Sequence, residues 1–207
     1  VVYDCVDNFA GHPTPPADLS ATQGQLLARA DLVLTTSRYL YEEKSRRRGN
    51  VHLLHHGTSE AFLGKPRPAG PLRRLCYFGT VWSALDFGAI AALAEAGYSV
   101  TLAGPVKEPP PALPPGVEFA PALPHESLPA FLAGFDALLL PYAASDYNKG
   151  VVPAKLYECL ATGKPVLASA LPSLEEYAGL LYLARGSADF PAAARRAAES
   201  DGAEDSA

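Results

Sequence analysis

The residues best suited to chemistry in this sequence lie between Pro153 and Ser169, in the run PAKLYECLATGKPVLAS. The run predicts a short helix that starts at Pro153, where a missing N–H costs nothing, and ends at Gly163, which suits a left-handed cap. Lys155 and Glu158 are three positions apart, so the helix places them on one face. A lysine beside a carboxylate at a helix start can hold a phosphate and a sugar diol at once.

The apolar residues of this predicted helix indicate which face packs against the core. Leu156, Cys159 and Leu160 form an apolar stripe on another face. The residues from Val166 to Ser169 predict a buried strand that follows the helix. An alternative interpretation is that the lysine and glutamate form an exposed ion pair on an ordinary amphipathic helix.

The same run resembles the donor-binding signature of GT-B glycosyltransferases, especially bacterial polysaccharide enzymes with the pattern P-x-K-x-x-E-x-x-A-x-G-x-P-V. The resemblance implies that Glu158 binds the ribose hydroxyls of a nucleotide-sugar and that Lys155 binds its diphosphate. It also implies a nucleobase near Leu123 and Pro124, contacted mainly through the main chain. Many retaining members carry a second glutamate eight residues before the ribose-binding one, and this sequence has Gly150 there. The resemblance therefore predicts nucleotide-sugar binding but no stereochemical outcome.

Strands and helices alternate along the chain in two series, which predicts parallel sheets. A segment rich in proline and glycine, residues 63–71, separates the two series. We expect an α/β protein of GT-B type, with the end of an amino-terminal Rossmann-like acceptor domain at 1–62, a linker at 63–71 and a Rossmann-like donor domain with five or six parallel strands at 72–207. The sequence contains no methionine and starts in a strand. The resemblance implies that the first part of the amino-terminal domain is absent.

Ligands of open α/β sheets bind beyond the carboxyl ends of the strands, so the loops after strands are candidates. Glycines in such loops let the main chain approach a ligand, although glycine ends strands in α/β proteins of every function. Combined with the signature helix, these loops give a predicted donor site of Gly79, Thr80, Gly104, Leu123, Pro124, Tyr142, Lys155, Leu156 and Glu158.

Two aspartates lie at the end of the first predicted strand, Asp4 and Asp7. Asp7 is the candidate catalytic residue, as a general base for an acceptor hydroxyl. The alternative is that both aspartates cap the turn into the proline-rich stretch at residues 11–16.

Bulk properties exclude several classes of protein. The net charge of −5 argues against a nucleic-acid partner. No apolar stretch approaches a membrane span, and no metal-ligand, P-loop or dinucleotide motif is present. Cys5, Cys76 and Cys159 indicate buried, reduced thiols of a cytosolic protein. The basic run from Lys44 to Arg48 predicts either a solvated helix end or contact with an anionic membrane surface.

We therefore expect a cytoplasmic glycosyltransferase that moves a sugar from a nucleotide diphosphate donor to the hydroxyl of a saccharide or lipid-linked acceptor. The nucleotide-sugar is its substrate, and neither a cofactor nor a metal is expected. Peripheral contact with the inner face of the membrane follows if the basic run binds lipid. The alternatives are a nucleotide-sugar epimerase of related fold and a non-catalytic nucleotide-sugar-binding module, because a fold alone does not decide function.

Overall fold

A computed structural model describes residues 1–12, 15, 17–66 and 69–200 of the 207-residue chain. Parts of the proline-rich stretches at 11–16 and 63–71, and the residues after 200, therefore lie outside the described residues. The chain forms two compact units. Unit 1 comprises residues 1–57, 144–154 and 171–173, and unit 2 comprises residues 58–143, 155–170 and 174 onward.

Unit 1 contains a three-stranded parallel sheet with the order β1-β2-β3. Its strands are β1 (Val2–Cys5), β2 (Leu32–Thr35) and β3 (Val51–Leu53). Its helices, numbered along the whole chain, are α1 (Leu19–Arg29), α2 (Arg38–Ser45) and the short α5 (Asp146–Lys149). A buried cluster joins the sheet to α1 and α2, and it consists of Tyr3, Cys5, Leu27, Ala30, Val33, Leu40 and Val51.

Unit 2 contains a six-stranded parallel sheet with the order β6-β5-β4-β7-β8-β9. The strands are β4 (Arg74–Phe78), β5 (Ser99–Ala103), β6 (Val117–Ala120), β7 (Ala137–Leu140), β8 (Val166–Ser169) and β9 (Tyr182–Ala184). The helices are α3 (Phe87–Glu95), α4 (Leu128–Leu132), α6 (Lys155–Ala161) and α7 (Phe190–Glu199). Strands β7 and β8 are buried along their whole length, as expected for parallel strands covered on both faces. The strand order reverses between β4 and β7, where ligands of such sheets usually bind.

The expected α/β class with parallel sheets is confirmed, since every strand pairing in both sheets is parallel. The expected left-handed cap is also present, because Gly163 has φ +67° after the end of α6. Helix α6 begins at Lys155, two residues later than the sequence predicts, and Pro153 lies in the approach to it. Helix α5 was not predicted from the sequence, because it is a single turn whose only signal is the cap Ser145.

The unit boundaries differ from the expected domain limits because distant segments pack together. Residues 144–154 belong to unit 1, where the hydroxyl of Ser37 donates to the carbonyl of Gly150 at 2.7 Å. Residues 58–62 belong to unit 2, where Phe62 is only 2% exposed. The N–H of Gly64 donates to the carbonyl of Ala161 at 2.8 Å, so this part of the expected linker lies against the end of α6.

The basic run from Lys44 to Arg48 is partly used inside unit 1. Lys44 is buried and its ammonium group contacts Glu43 at 2.9 Å. The guanidinium of Arg48 donates to carbonyl oxygens of Leu27, Ala28 and Ala30 at the carboxyl end of α1. Arg46 and Arg47 are exposed. None of the helices in the described part of the chain has both the length and the apolar character that a membrane span requires.

Candidate functional site

Two glycine loops meet at the carboxyl ends of β4 and β5 in unit 2. The N–H of Gly79 donates to the carbonyl of Ala103 at 2.8 Å, and both glycines have positive φ, +130° at Gly79 and +143° at Gly104. A Cβ on Gly104 would lie 2.2 Å from the carbonyl oxygen of Gly79. Only glycine therefore fits at this point, and the two loops present main chain without side chains between them.

Lys155, the first residue of α6, reaches this same edge of the sheet. Its ammonium nitrogen donates to the Tyr142 hydroxyl at 2.9 Å. The nitrogen also lies 5.3 Å from the ring centroid of Tyr77 and 5.6 Å from that of Tyr142. A Cβ on Gly79 would lie 2.8 Å from Cε of Lys155. The lysine is thus held between two aromatic rings and a glycine loop, in contacts that favour a cation.

Tyr77 connects the lysine to the loop after β4. Its hydroxyl donates to the carbonyl of Thr80 at 2.9 Å, and its ring packs edge-on against Tyr142 with centroids 6.4 Å apart. Burial raises the pKa of Tyr77, and the neighbouring Tyr142 raises it further. Tyr77 therefore stays a neutral O–H donor. Tyr77 was not predicted as a site residue, because a tyrosine inside a buried strand has the pattern of an ordinary core residue.

Glu158 lies one helical turn beyond Lys155 and has a different partner. Its Oε1 is 2.7 Å from Nε2 of His125, a residue that begins the 3-10 helix His125–Ser127 directly after Pro124. The His125 ring packs against the ring of Phe62, with centroids 5.1 Å apart. The predicted nucleobase segment and the predicted ribose ligand are therefore neighbours, and His125 joins them.

The other predicted donor-site residues differ in how exposed they are. Pro124 is exposed and Leu123 is half-buried. Leu156 is completely buried, as is Cys159, so the Leu156 side chain belongs to the core and not to a surface that a ligand could contact. The contacts of the two glycine loops and of Lys155 described above bring five predicted residues together, and we call this group the lysine cluster: Gly79, Thr80, Gly104, Tyr142 and Lys155.

Asp7 lies in unit 1, just after β1, beside groups that the sequence analysis did not connect with it. Burial raises the pKa of Asp7, while a hydrogen bond from Tyr147 and the nearby His56 and His12 act in the opposite direction. Burial and the Asp7 carboxylate together raise the pKa of Tyr147 to about 12. The ring of Tyr147 packs edge-on against His12, with centroids 5.4 Å apart. Asp7 and Tyr147 are 140 positions apart in the sequence, so no local pattern could have predicted their contact.

Comparison with known proteins places the fold. No family model matches the sequence. The chain is 28% identical over 204 residues to the putative teichuronic acid biosynthesis glycosyltransferase TuaH of Bacillus subtilis (strain 168), covering 84% of this chain and 51% of that protein. The chain thus spans about half the length of the curated relative it matches.

Solved glycosyltransferases share the architecture. An α,α-trehalose-phosphate synthase (UDP-forming) from Burkholderia vietnamiensis has a TM-score of 0.62 at 12% identity, covering 98% of this chain and 62% of that one. WaaG, a glycosyltransferase involved in lipopolysaccharide biosynthesis, has a TM-score of 0.57 at 14% identity, covering 95% of this chain and 70% of that one. The fold is that of GT-B glycosyltransferases. The resemblance indicated by the Lys155–Glu158 signature is confirmed by these similarities.

Within the described residues, no group of three or more His, Cys, Asp and Glu side chains is arranged to hold a metal ion.

Proposed function

We propose that unit 2 binds a nucleotide-sugar, and that the protein transfers its sugar to the hydroxyl of a saccharide or lipid-linked acceptor. The lysine cluster is the observation that carries this proposal. Its two glycine loops offer main chain without Cβ atoms, and Lys155 is held beside Gly79 by Tyr142 and Tyr77. A cation fixed next to open main chain at the switch point of a parallel sheet suits the diphosphate of a nucleotide.

Four of the predicted residues have specific roles in this proposal. Lys155 neutralises the diphosphate, and this also stabilises the charge that the leaving group develops during transfer. Glu158 accepts hydrogen bonds from the ribose hydroxyls. The main chain at Leu123 and Pro124 contacts the nucleobase. The glycosyltransferase names of TuaH and WaaG support sugar transfer as the reaction.

Asp7 is the proposed general base for the acceptor hydroxyl. A carboxylate whose pKa is raised by burial is a stronger base than an exposed aspartate, which favours proton removal near neutral pH. The hydrogen bond from Tyr147 moderates this effect, because it stabilises the ionised form.

Two further parts of the proposal concern where the protein works. The three cysteines are free and buried, which supports a reducing compartment such as the cytoplasm. Peripheral contact with an anionic membrane now depends on Arg46 and Arg47, since Lys44 and Arg48 have partners within unit 1.

Calorimetric titration of the chain with UDP, GDP and ADP tests the donor site. We expect at least one of these nucleotides to bind, and Glu158→Ala to weaken its binding by about 1.5–3 kcal/mol, the usual range for a hydrogen bond to a charged group. Glu95→Ala, at the exposed last residue of α3, serves as the control and leaves the affinity unchanged. Equal affinities for the parent and Glu158→Ala would contradict the ribose assignment. A separate assay of sugar transfer to an acceptor distinguishes an enzyme from a non-catalytic binding module.

A further inference from the structure

We propose that His125 is a positioning residue that fixes the Glu158 carboxylate for a ribose diol, and so makes the site prefer ribonucleotides to nucleotides without ribose hydroxyls. This inference rests on the proposed nucleotide-binding function and deepens it. It assigns a role to a histidine that is not among the site residues predicted from the sequence.

The contact that carries the inference is the 2.7 Å approach of His125 Nε2 to Glu158 Oε1. A glutamate side chain has three rotatable bonds, and ordering one that is otherwise mobile costs free energy on binding. Helix α6 is already anchored, because Leu156 and Cys159 are completely buried beneath it. The remaining freedom lies in the glutamate side chain itself, and the imidazole N–H restricts it.

The histidine is itself held in place. Its ring packs against Phe62, which is 2% exposed and therefore fixed in the core of unit 2. Pro124, directly before it, restricts the main chain. The order imposed on the carboxylate thus passes from the buried Phe62 through His125 to Glu158.

The bond to His125 uses only part of the hydrogen-bonding capacity of the carboxylate. An ionised carboxylate has about four lone-pair positions on two oxygens. The His125 N–H occupies one of those on Oε1, so Oε2 and the second position on Oε1 remain for two ribose hydroxyls. The His125–Glu158 bond has an ionised acceptor, and such hydrogen bonds are stronger than neutral ones.

The exposure of the two side chains separates this role from simple packing. The His125 side chain is 60% exposed, whereas that of Glu158 is 19% exposed. A histidine kept for core packing would be buried, and an incidental surface pair would leave both side chains free in solvent. Here an accessible imidazole directs a largely enclosed carboxylate, which is the arrangement expected of a positioning residue.

Two substitutions separate the hydrogen bond from the ring. His125→Gln keeps an N–H donor at a similar reach but removes the ring, whereas His125→Phe keeps a ring against Phe62 but removes the donor. Each variant is titrated with UDP, GDP, ADP and the 2′,3′-dideoxy counterparts. Thermal unfolding of both variants confirms that they fold, as expected for substitutions at an exposed position.

We expect His125→Phe to weaken binding of the ribonucleotide by about 3- to 10-fold, because the carboxylate must then be ordered during binding. The same variant leaves the affinity for the dideoxynucleotide unchanged. His125→Gln keeps the parental preference for the ribonucleotide. In the Glu158→Ala background, His125→Phe has no further effect on either nucleotide, since the two residues act through one interaction.

Three results would overturn the proposal. An equal loss of affinity for ribo- and dideoxynucleotides in His125→Phe would assign His125 a structural or base-contacting role. Parental behaviour of His125→Phe combined with a loss in His125→Gln would assign the effect to the ring. In both cases the proposed nucleotide site survives if Glu158→Ala still loses affinity. Absence of binding by the parent to any of the three ribonucleotides would instead overturn the proposed function, and this inference with it.

Discussion

At the scale of residues, the candidate site depends on two positions that carry no side chain. Gly104 lies against the carbonyl of Gly79, and Gly79 lies against the methylene next to the ammonium group of Lys155. Any side chain on Gly79 would occupy space that the lysine now fills. The position of the cation is therefore set from one side by a glycine and from the other by Tyr142 and Tyr77.

Gly79→Ala is expected to damage both stability and nucleotide binding. Its φ of +130° is unfavourable for alanine, and the new Cβ would displace Lys155. We expect a stability loss of about 1–3 kcal/mol from the strained main chain. We also expect binding of the diphosphate to weaken by about 1.5–3 kcal/mol as the lysine contact is lost. Urea unfolding and calorimetry measure the two effects.

Gly97→Ala is the matched control for this substitution. Gly97 also has a positive φ, +91°, but nothing lies within 4 Å of a Cβ placed there. It should lose a similar amount of stability, about 1–3 kcal/mol, and keep the parental affinity for the nucleotide. If Gly79→Ala also kept full affinity, Lys155 would not be the diphosphate ligand.

The sequence predicted part of this arrangement and missed another part for a physical reason. Gly79, Gly104 and Tyr142 follow apolar runs, and parallel strands end at one edge of a sheet, so their proximity could be predicted. Tyr77 has the pattern of a core residue, and His125 meets Glu158 across 33 positions of chain. Such contacts depend on how the elements pack, which local patterns do not report.

At the scale of elements, how well a strand or helix could be predicted from the sequence depended on its length and its burial. Strand β8 was predicted at the bounds that the structure shows, Val166–Ser169, since its first three residues form an apolar run directly after the glycine that ends α6. Helix α5 has four residues and no room for an apolar period. Helix α6 was predicted from its glycine cap and apolar stripe, but its start was placed too early, because proline favours a first helical position without requiring it.

The cap of α3 gives a prediction at this scale. The Asp86 carboxylate accepts a hydrogen bond from the N–H of Ala89 at 3.0 Å and another from the hydroxyl of Ser187, which lies within 2.9 Å of both carboxylate oxygens. Asp86→Ala removes the cap and leaves that hydroxyl without these acceptors, so it should destabilise unit 2 by about 1–2 kcal/mol in urea unfolding. Asp86→Asn keeps a capping oxygen and should lose less.

Ser127→Ala is the control for a cap position without a cap bond. Ser127 occupies the N-cap of α4 in the same unit, but its side chain makes no cap hydrogen bond. We expect a change within about 0.5 kcal/mol, as for other exposed sites. A loss at Ser127 as large as that at Asp86 would show that the capping bond does not explain the effect.

At the scale of the whole molecule, the division into two units makes local stability uneven. Unit 1 has a three-stranded sheet and unit 2 a six-stranded one, so unit 1 has the smaller sheet to build a core on. Smaller cores are less stable, and parts of one chain can open at different free energies. The chain passes between the units several times, because residues 144–154 and 171–173 belong to unit 1. The expected boundary near residues 63–71 did not include these returns, since nothing in the local sequence marks them.

The three cysteines report on this unevenness, because Cys5 lies in unit 1 while Cys76 and Cys159 lie in unit 2. All three are completely buried, and burial raises the pKa of each thiol, that of Cys76 to about 12. Native protein at pH 8 should therefore resist iodoacetamide at all three, since the thiolate is the reactive form. In increasing urea, Cys5 should become alkylated at a concentration about 0.5–1 M lower than the other two, because the smaller core of unit 1 opens first.

Pulse labelling with peptide mass spectrometry measures each midpoint. Cys76 on β4 and Cys159 on α6 form the internal control, as both belong to unit 2 and should react together. A single midpoint for all three would mean that the two units unfold as one cooperative body.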